Sequence, residues 1–132
     1  QVKLGCIPYY MFIERDTGSR PYFEIPLHRT WEIFSDASKE LSGLGRTVRG
    51  PSMSTLPGKI RIGGVPEIHG EKLFLLEFLQ SRNPVWTKQL FFAQFDEKAT
   101  WLDQLRPAFG EKKFFYEAEL NGYLNSKRSI LF

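Results

Sequence analysis

The chain has a single cysteine, Cys6, among its 132 residues. That excludes an internal disulfide, and it excludes zinc or iron–sulfur sites built from cysteines of this chain alone. With apolar neighbours, Cys6 reads as core packing. Histidine is almost as scarce, at two residues. His28 has no second ligand-type residue at a metal-binding spacing and reads as a surface side chain, so no metal site is expected. No apolar run approaches the roughly 20 residues a membrane-spanning helix needs. A net charge of +3 is mild, and no stretch is as densely basic as a nucleic-acid-binding face. Nothing at the start reads as a signal peptide. The first residue is not Met and the chain opens in what reads as the end of an element, so a piece of a longer protein is expected.

One further absence is local. Ser42 to Gly64 holds Arg46, Arg49, Lys59 and Arg61 and no acid; Glu40 and Glu67 are the nearest. Six of its residues are Gly and two are Pro, so the backbone can turn sharply and approach a ligand closely. Exposed backbone N–H groups beside fixed positive charges make a cradle for an anion such as phosphate. A solvated surface loop is the plainer reading of the same composition. Lys59 stands out because it follows a Pro-Gly turn and precedes an apolar strand, which would hold it rigidly.

At 42% hydrophobic and 15% aromatic, the chain can bury the modest core of one domain. Ile7 to Ile13 is a near-continuous apolar run, the pattern of a strand buried on both faces in a parallel sheet. Glu14, Arg15 and Asp16 follow at its carboxyl end, where ligands gather in α/β sheets. An ordinary polar turn would also place them there. Pro26 to Leu41 reads as a helix, with Leu27, Trp31, Phe34, Ala37 and Leu41 on one face and Gly43 as its C-terminal cap. Beyond the basic loop, strands are expected from Lys59, over Leu73–Gln80 after a His69-Gly70 turn, over Gln89–Phe95 and over Lys113–Leu120. Thr100 to Leu105 reads as a short helix, and the tail from Asn121 as loose. The many aromatics between Phe74 and Phe115 read as core rather than as stacking platforms for bases.

The order of these motifs resembles the C-terminal portion of the lysine 2,3-aminomutase family. The resemblance rests on Gly5 with Pro8-Tyr9-Tyr10, then Phe23 and Pro26, then Ser42-Gly43, then Pro57-Gly58-Lys59. It covers about residues 4 to 80. The family's members are radical-SAM enzymes that also carry pyridoxal 5'-phosphate. The resemblance implies an α/β fold, α+β as an isolated chain: residues 1–45 as the last βα unit of a partial TIM-type barrel, and 46–132 as the pyridoxal-phosphate lysine loop with an antiparallel β-rich tail. Lys59 falls on the family's aldimine lysine, and Arg49 and Arg61 become cations for the cofactor's phosphate. Arg15, Asp16 and Ser52 fall at or beside positions where the lysine-specific enzymes hold the substrate's distal ammonium with aspartates. Arginine and serine cannot neutralise an ammonium, so an acidic or neutral amino acid is the expected substrate. The C-x-x-x-C-x-x-C that would hold a 4Fe-4S cluster, and with it the S-adenosylmethionine site, would lie on a missing N-terminal part. This segment alone would be inactive. A cytoplasmic homo-oligomeric isomerase (an aminomutase) is implied, its partners being the rest of the barrel and a small amino acid, with no nucleic acid and no membrane. The alternative is a non-catalytic α+β module that binds an anionic ligand or assembles subunits.

Overall fold

The computed structural model describes residues 10–13, 24–41 and 49–131, with side chains as far as residue 126. Arg15, Asp16, Cys6 and the Ser42–Gly43 pair lie outside the described residues. Among the described residues, six strands form one sheet, and two α-helices accompany it: β1 (Tyr10–Phe12), α1 (Leu27–Lys39), β2 (Arg49–Ser54), β3 (Gly58–Gly64), β4 (Glu67–Ile68), β5 (Glu71–Ser81), β6 (Leu90–Gln94) and α2 (Glu117–Leu131). The class is mixed α+β.

β1 and β2 run parallel. A parallel pair needs a crossover, and the chain makes it through α1. Every other pairing is antiparallel: β2 with β3, β3 with β5, β4 with β5, and β5 with β6. Lys59 to Ile62 and Leu73 to Gln80 lie within strands as their patterns require, and Leu90–Gln94 is the strand expected over Gln89 to Phe95. His69 and Gly70 both take left-handed backbone, with φ of 51° and 76°, as a two-residue hairpin turn between twisted strands demands.

β2 is a finding against expectation, and it pairs with the expected strand β3. From Arg49 onward the basic stretch is a β-hairpin and not a loop. Its turn, Thr55–Pro57, is closed by Thr55 N–H to the Gly58 carbonyl at 2.9 Å and by the Thr55 hydroxyl to the same oxygen at 2.6 Å. Gly and Pro mask strand propensity, yet Ser52, Met53 and Ser54 find antiparallel partners in Arg61, Ile60 and Lys59. Gly58 is required there. Its φ is +154°, and a Cβ would collide with the Gln80 carbonyl oxygen of β5.

One face of the sheet carries the core. Ile13, Met53, Ile60, Ile62, Phe74, Leu76 and Phe78 are all buried on it. Leu27 of α1 is fully buried in the same cluster, and its N–H donates to the Ala99 carbonyl at 2.8 Å. The helix seats a slightly different stripe from the one expected: Thr30 is buried and Ala37 is exposed. Thr30 can go inside because its hydroxyl donates to the Pro26 carbonyl at 3.2 Å.

The C-terminal part also differs from expectation. Lys113–Leu120 is not a strand, and the tail is not loose: a turn leads into α2 at Glu117. Phe114 and Tyr116 are buried and Phe115 is exposed. That alternation is real, but it belongs to a turn packed under β5 and β6. Helix takes over because Glu117 and Glu119 favour its N-terminal end, while Leu120 and Leu124, four residues apart, both reach the core. Phe78 is the hub of this region, with Trp86, Phe91, Phe115 and Tyr116 ring centroids 5.3 to 5.9 Å away.

Candidate functional site

Strand alternation decides which side chains leave the core. On β3, Ile60 and Ile62 point inward, so Lys59 and Arg61 project from the opposite face. Met53 on β2 points inward, so Ser52 and Ser54 share the outer face. Phe12 is paired with Ser52 and is 61% exposed. The apolar run around β1 is therefore not buried on both sides as expected.

The Tyr10 and Phe12 rings stack at 5.1 Å and 17°. The Lys59 Nζ sits 4.7 Å from the Tyr10 centroid and 5.5 Å from that of Phe12. The Arg49 guanidinium carbon is 5.9 Å from the same Tyr10 ring. A ring face attracts cations through its quadrupole, so one tyrosine gathers two of the expected site residues. Lys59 makes no ion pair with any described acid.

Lys59 also lines an open cleft of about 330 Å³ with Ser54, Thr55, Gly58, Ser81 and Arg82. Among the described residues, two cations and no acid line it. Arg82 is braced there by its Nε donating to the Leu56 carbonyl at 2.6 Å. The Thr55 and Ser81 hydroxyls are committed to local acceptors, Gly58 O and Asn83 O.

Arg61 is placed differently. It lies on the same face, but its Nε donates to Glu77 Oε1 at 2.6 Å, and both side chains are partly shielded. Its charge is already balanced. Ser52, opposite Arg61, is fully buried and its Oγ has no hydrogen-bond partner. A buried hydroxyl left unbonded costs about 1–3 kcal/mol.

The fold thus brings Lys59, Arg49, Arg61 and Ser52 to one face. Tyr10, quoted from the sequence only as a motif residue, belongs to the same neighbourhood, as do Arg82 and Glu77, which were not singled out. Arg82 sits twenty-three positions from Lys59 and comes near only through the β3–β5 ladder, where Gly58 pairs with Ser81. Among the described residues no group of three His, Cys, Asp or Glu side chains could hold a metal ion. No helix of the described residues is long and apolar enough to cross a membrane. No protein-family model, no curated protein and no solved structure matches the chain.

Proposed function

We propose that this chain is the pyridoxal-phosphate-binding C-terminal part of a radical-SAM amino-acid aminomutase of the lysine 2,3-aminomutase type. The observation that carries the reading is Lys59, an amine in an acid-free cleft with Arg82, its head against Tyr10 and Phe12. The residues fit the cofactor. An amine, cations for a phosphate and flat apolar surface for a ring all meet on one sheet face. Pyridoxal phosphate, when bound, supplies an aldehyde that condenses with amines and a ring able to carry an amino group between neighbouring carbons.

In this reading Lys59 is the attachment amine, and the hairpin fixes its position. Arg82 and Arg49 offset the charge of the phosphate, while Arg61, held by Glu77, is secondary. The parallel β1–α1–β2 arrangement fits the end of a partial TIM-type barrel, with further parallel strands adding beyond β1. The 4Fe-4S cluster and S-adenosylmethionine belong to that further part, as does radical generation. Ser52, with Arg15 outside the described residues, favours an acidic or neutral amino acid over lysine as substrate. A cytoplasmic homo-oligomer completes the proposal.

The test is reductive trapping. Protein mixed with pyridoxal phosphate and reduced with borohydride should carry the phosphopyridoxyl group on Lys59, located by peptide mapping. Label scattered over Lys39, Lys72 and Lys98, with Lys59 unmodified, would overturn the reading.

A further inference from the structure

Leu75 to Glu77 of β5 pair with β3 on one side and with β6 on the other. The described sheet therefore runs β1, β2, β3, β5, β6 across its width, with β6 at the edge opposite β1. Strands added beyond β1 would leave that edge uncovered. Three large apolar side chains are exposed there: Leu90 at 58%, Phe109 at 57% and Phe115 at 44%. The β6 backbone is already bonded beyond Phe91: Gln94 N–H donates to the Arg106 carbonyl at 2.8 Å, and Ala108 N–H to the Phe92 carbonyl at 3.3 Å. The face offers side chains rather than a strand edge.

Phe109 is out of place by ordinary turn chemistry. It and Gly110 have φ of 59° and 74°, in a turn closed by Glu111 N–H donating to the Ala108 carbonyl at 3.2 Å. Positive φ at both central positions is the type I′ pattern, which favours Asn-Gly. A bulky aromatic is strained there. Its ring meets Phe92 edge-on, with centroids 5.5 Å apart, yet more than half of the residue stays in water.

Beside this ring lies a groove of about 400 Å³, lined by Phe92, Pro107, Phe114 and Phe115 as well as by Phe109. A protruding ring next to a groove of its own size suits a two-fold dimer, because each copy presents the same knob and the same hole. Charge agrees. Among the described residues, Glu111 and Lys113 are the charged side chains that line the groove, one of each sign. A rim of one sign would repel an identical surface. A two-fold axis can instead set Glu111 against the partner's Lys113, twice over. Area agrees as well. About half of three side chains of up to roughly 200 Å² each leaves on the order of 300 Å² of apolar surface. That is the centre of a small interface, whose polar rim supplies the rest of about 800 Å² per partner.

We infer that this face is where two copies of the chain form a two-fold dimer, Phe109 of each entering the groove of the other. It is the contact surface for the homo-oligomer proposed above, yet it draws nothing from Lys59. A monomeric chain would leave the cofactor reading standing, and an unlabelled Lys59 would leave the dimer standing.

Sedimentation equilibrium of the intact chain, from about 1 µM to 1 mM, tests it. A monomer–dimer equilibrium with a Kd of about 1–100 µM is expected for a contact of this size. Phe109→Asn, which suits the turn better, should weaken association at least about tenfold, while the denaturation midpoint of the dilute monomer stays unchanged or rises. Glu111→Lys and Lys113→Glu should each weaken association alone and should associate with each other when mixed, because unlike charges then face at both ends of the axis. A chain still monomeric at 1 mM would overturn the inference and assign the face to another segment of a longer protein. Association that survives Phe109→Asn, open-ended oligomers in place of a dimer, or charge variants that behave alike alone and mixed would each overturn it too.

Discussion

Arg61 on β3 and Glu77 on β5 are cross-strand partners, and the guanidinium Nε lies 2.6 Å from the carboxylate oxygen. Lys59, two residues earlier on the same face, has no such acid. The ladder therefore sorts two cations that look alike in sequence. One is spent on the sheet, and the other faces the cleft with Arg82.

That sorting predicts an order of effects on phosphate binding. Arg82→Gln should weaken pyridoxal phosphate binding by about tenfold, in line with the loss of one charge-assisted contact of roughly 1.5 kcal/mol. Arg61→Gln should change it less than about threefold. Equilibrium titration by cofactor absorbance measures both. An Arg61 effect equal to that of Arg82 would show that the Glu77 pair opens on binding.

Gly58 should resist replacement. A Cβ there meets the Gln80 carbonyl, and a φ of +154° suits few L-residues. Gly58→Ala should cost about 1–3 kcal/mol, measured by urea denaturation, and should displace Lys59 next to it. Gly70 has open space around its Cβ position, but its left-handed φ of 76° limits the cost of Gly70→Ala to backbone strain of about 1 kcal/mol.

Much of the architecture could be read from pattern alone, because period-2 and period-3.6 burial is local. Lys59–Ile62, Leu73–Gln80 and the helix over Leu27–Lys39 are examples. What escaped was set by partners distant in sequence. Arg49–Ser54 is strand because β1 and β3 flank it, although Gly50 and Pro51 argue for loop. Phe114 to Tyr116 alternates like a strand, but β6 has no edge left for it: Ala93 bridges Pro107, and Gln94 bonds to Arg106. In the candidate site, Lys59, Arg49, Arg61 and Ser52 stood out for charge or for resemblance. Tyr10 stood in a quoted motif but was given no site role, and Arg82 was hidden as one more surface cation.

Phe78 anchors the junction of sheet and C-terminal segment, and it is fully buried. Phe78→Ala should cost about 3–5 kcal/mol, from lost transfer energy plus the cavity left among Trp86, Phe91 and Tyr116. Phe109 is 57% exposed, and Phe109→Ala should stay within about 1 kcal/mol. Thermal or chemical unfolding of the two variants checks the contrast. Comparable losses would mean that the junction behaves as surface.

Tyr116 gives the fold a measurable alkaline limit. Burial, and then the neighbouring Glu117 charge, push its phenol well above the ordinary value. In the unfolded chain the phenol ionises near pH 10, while in the folded protein it stays protonated. Below about pH 9 both states hold the proton, and the group adds no pH dependence. Above about pH 10 the unfolded state loses its proton first, so stability falls as pH rises toward the folded value. Tyr116→Phe removes that proton from both states. The wild type should therefore lose more stability than Tyr116→Phe between pH 8.5 and about pH 11, by roughly 1 kcal/mol or more, with denaturant midpoints as the readout. Parallel pH profiles for the two proteins would mean that solvent reaches the Tyr116 hydroxyl.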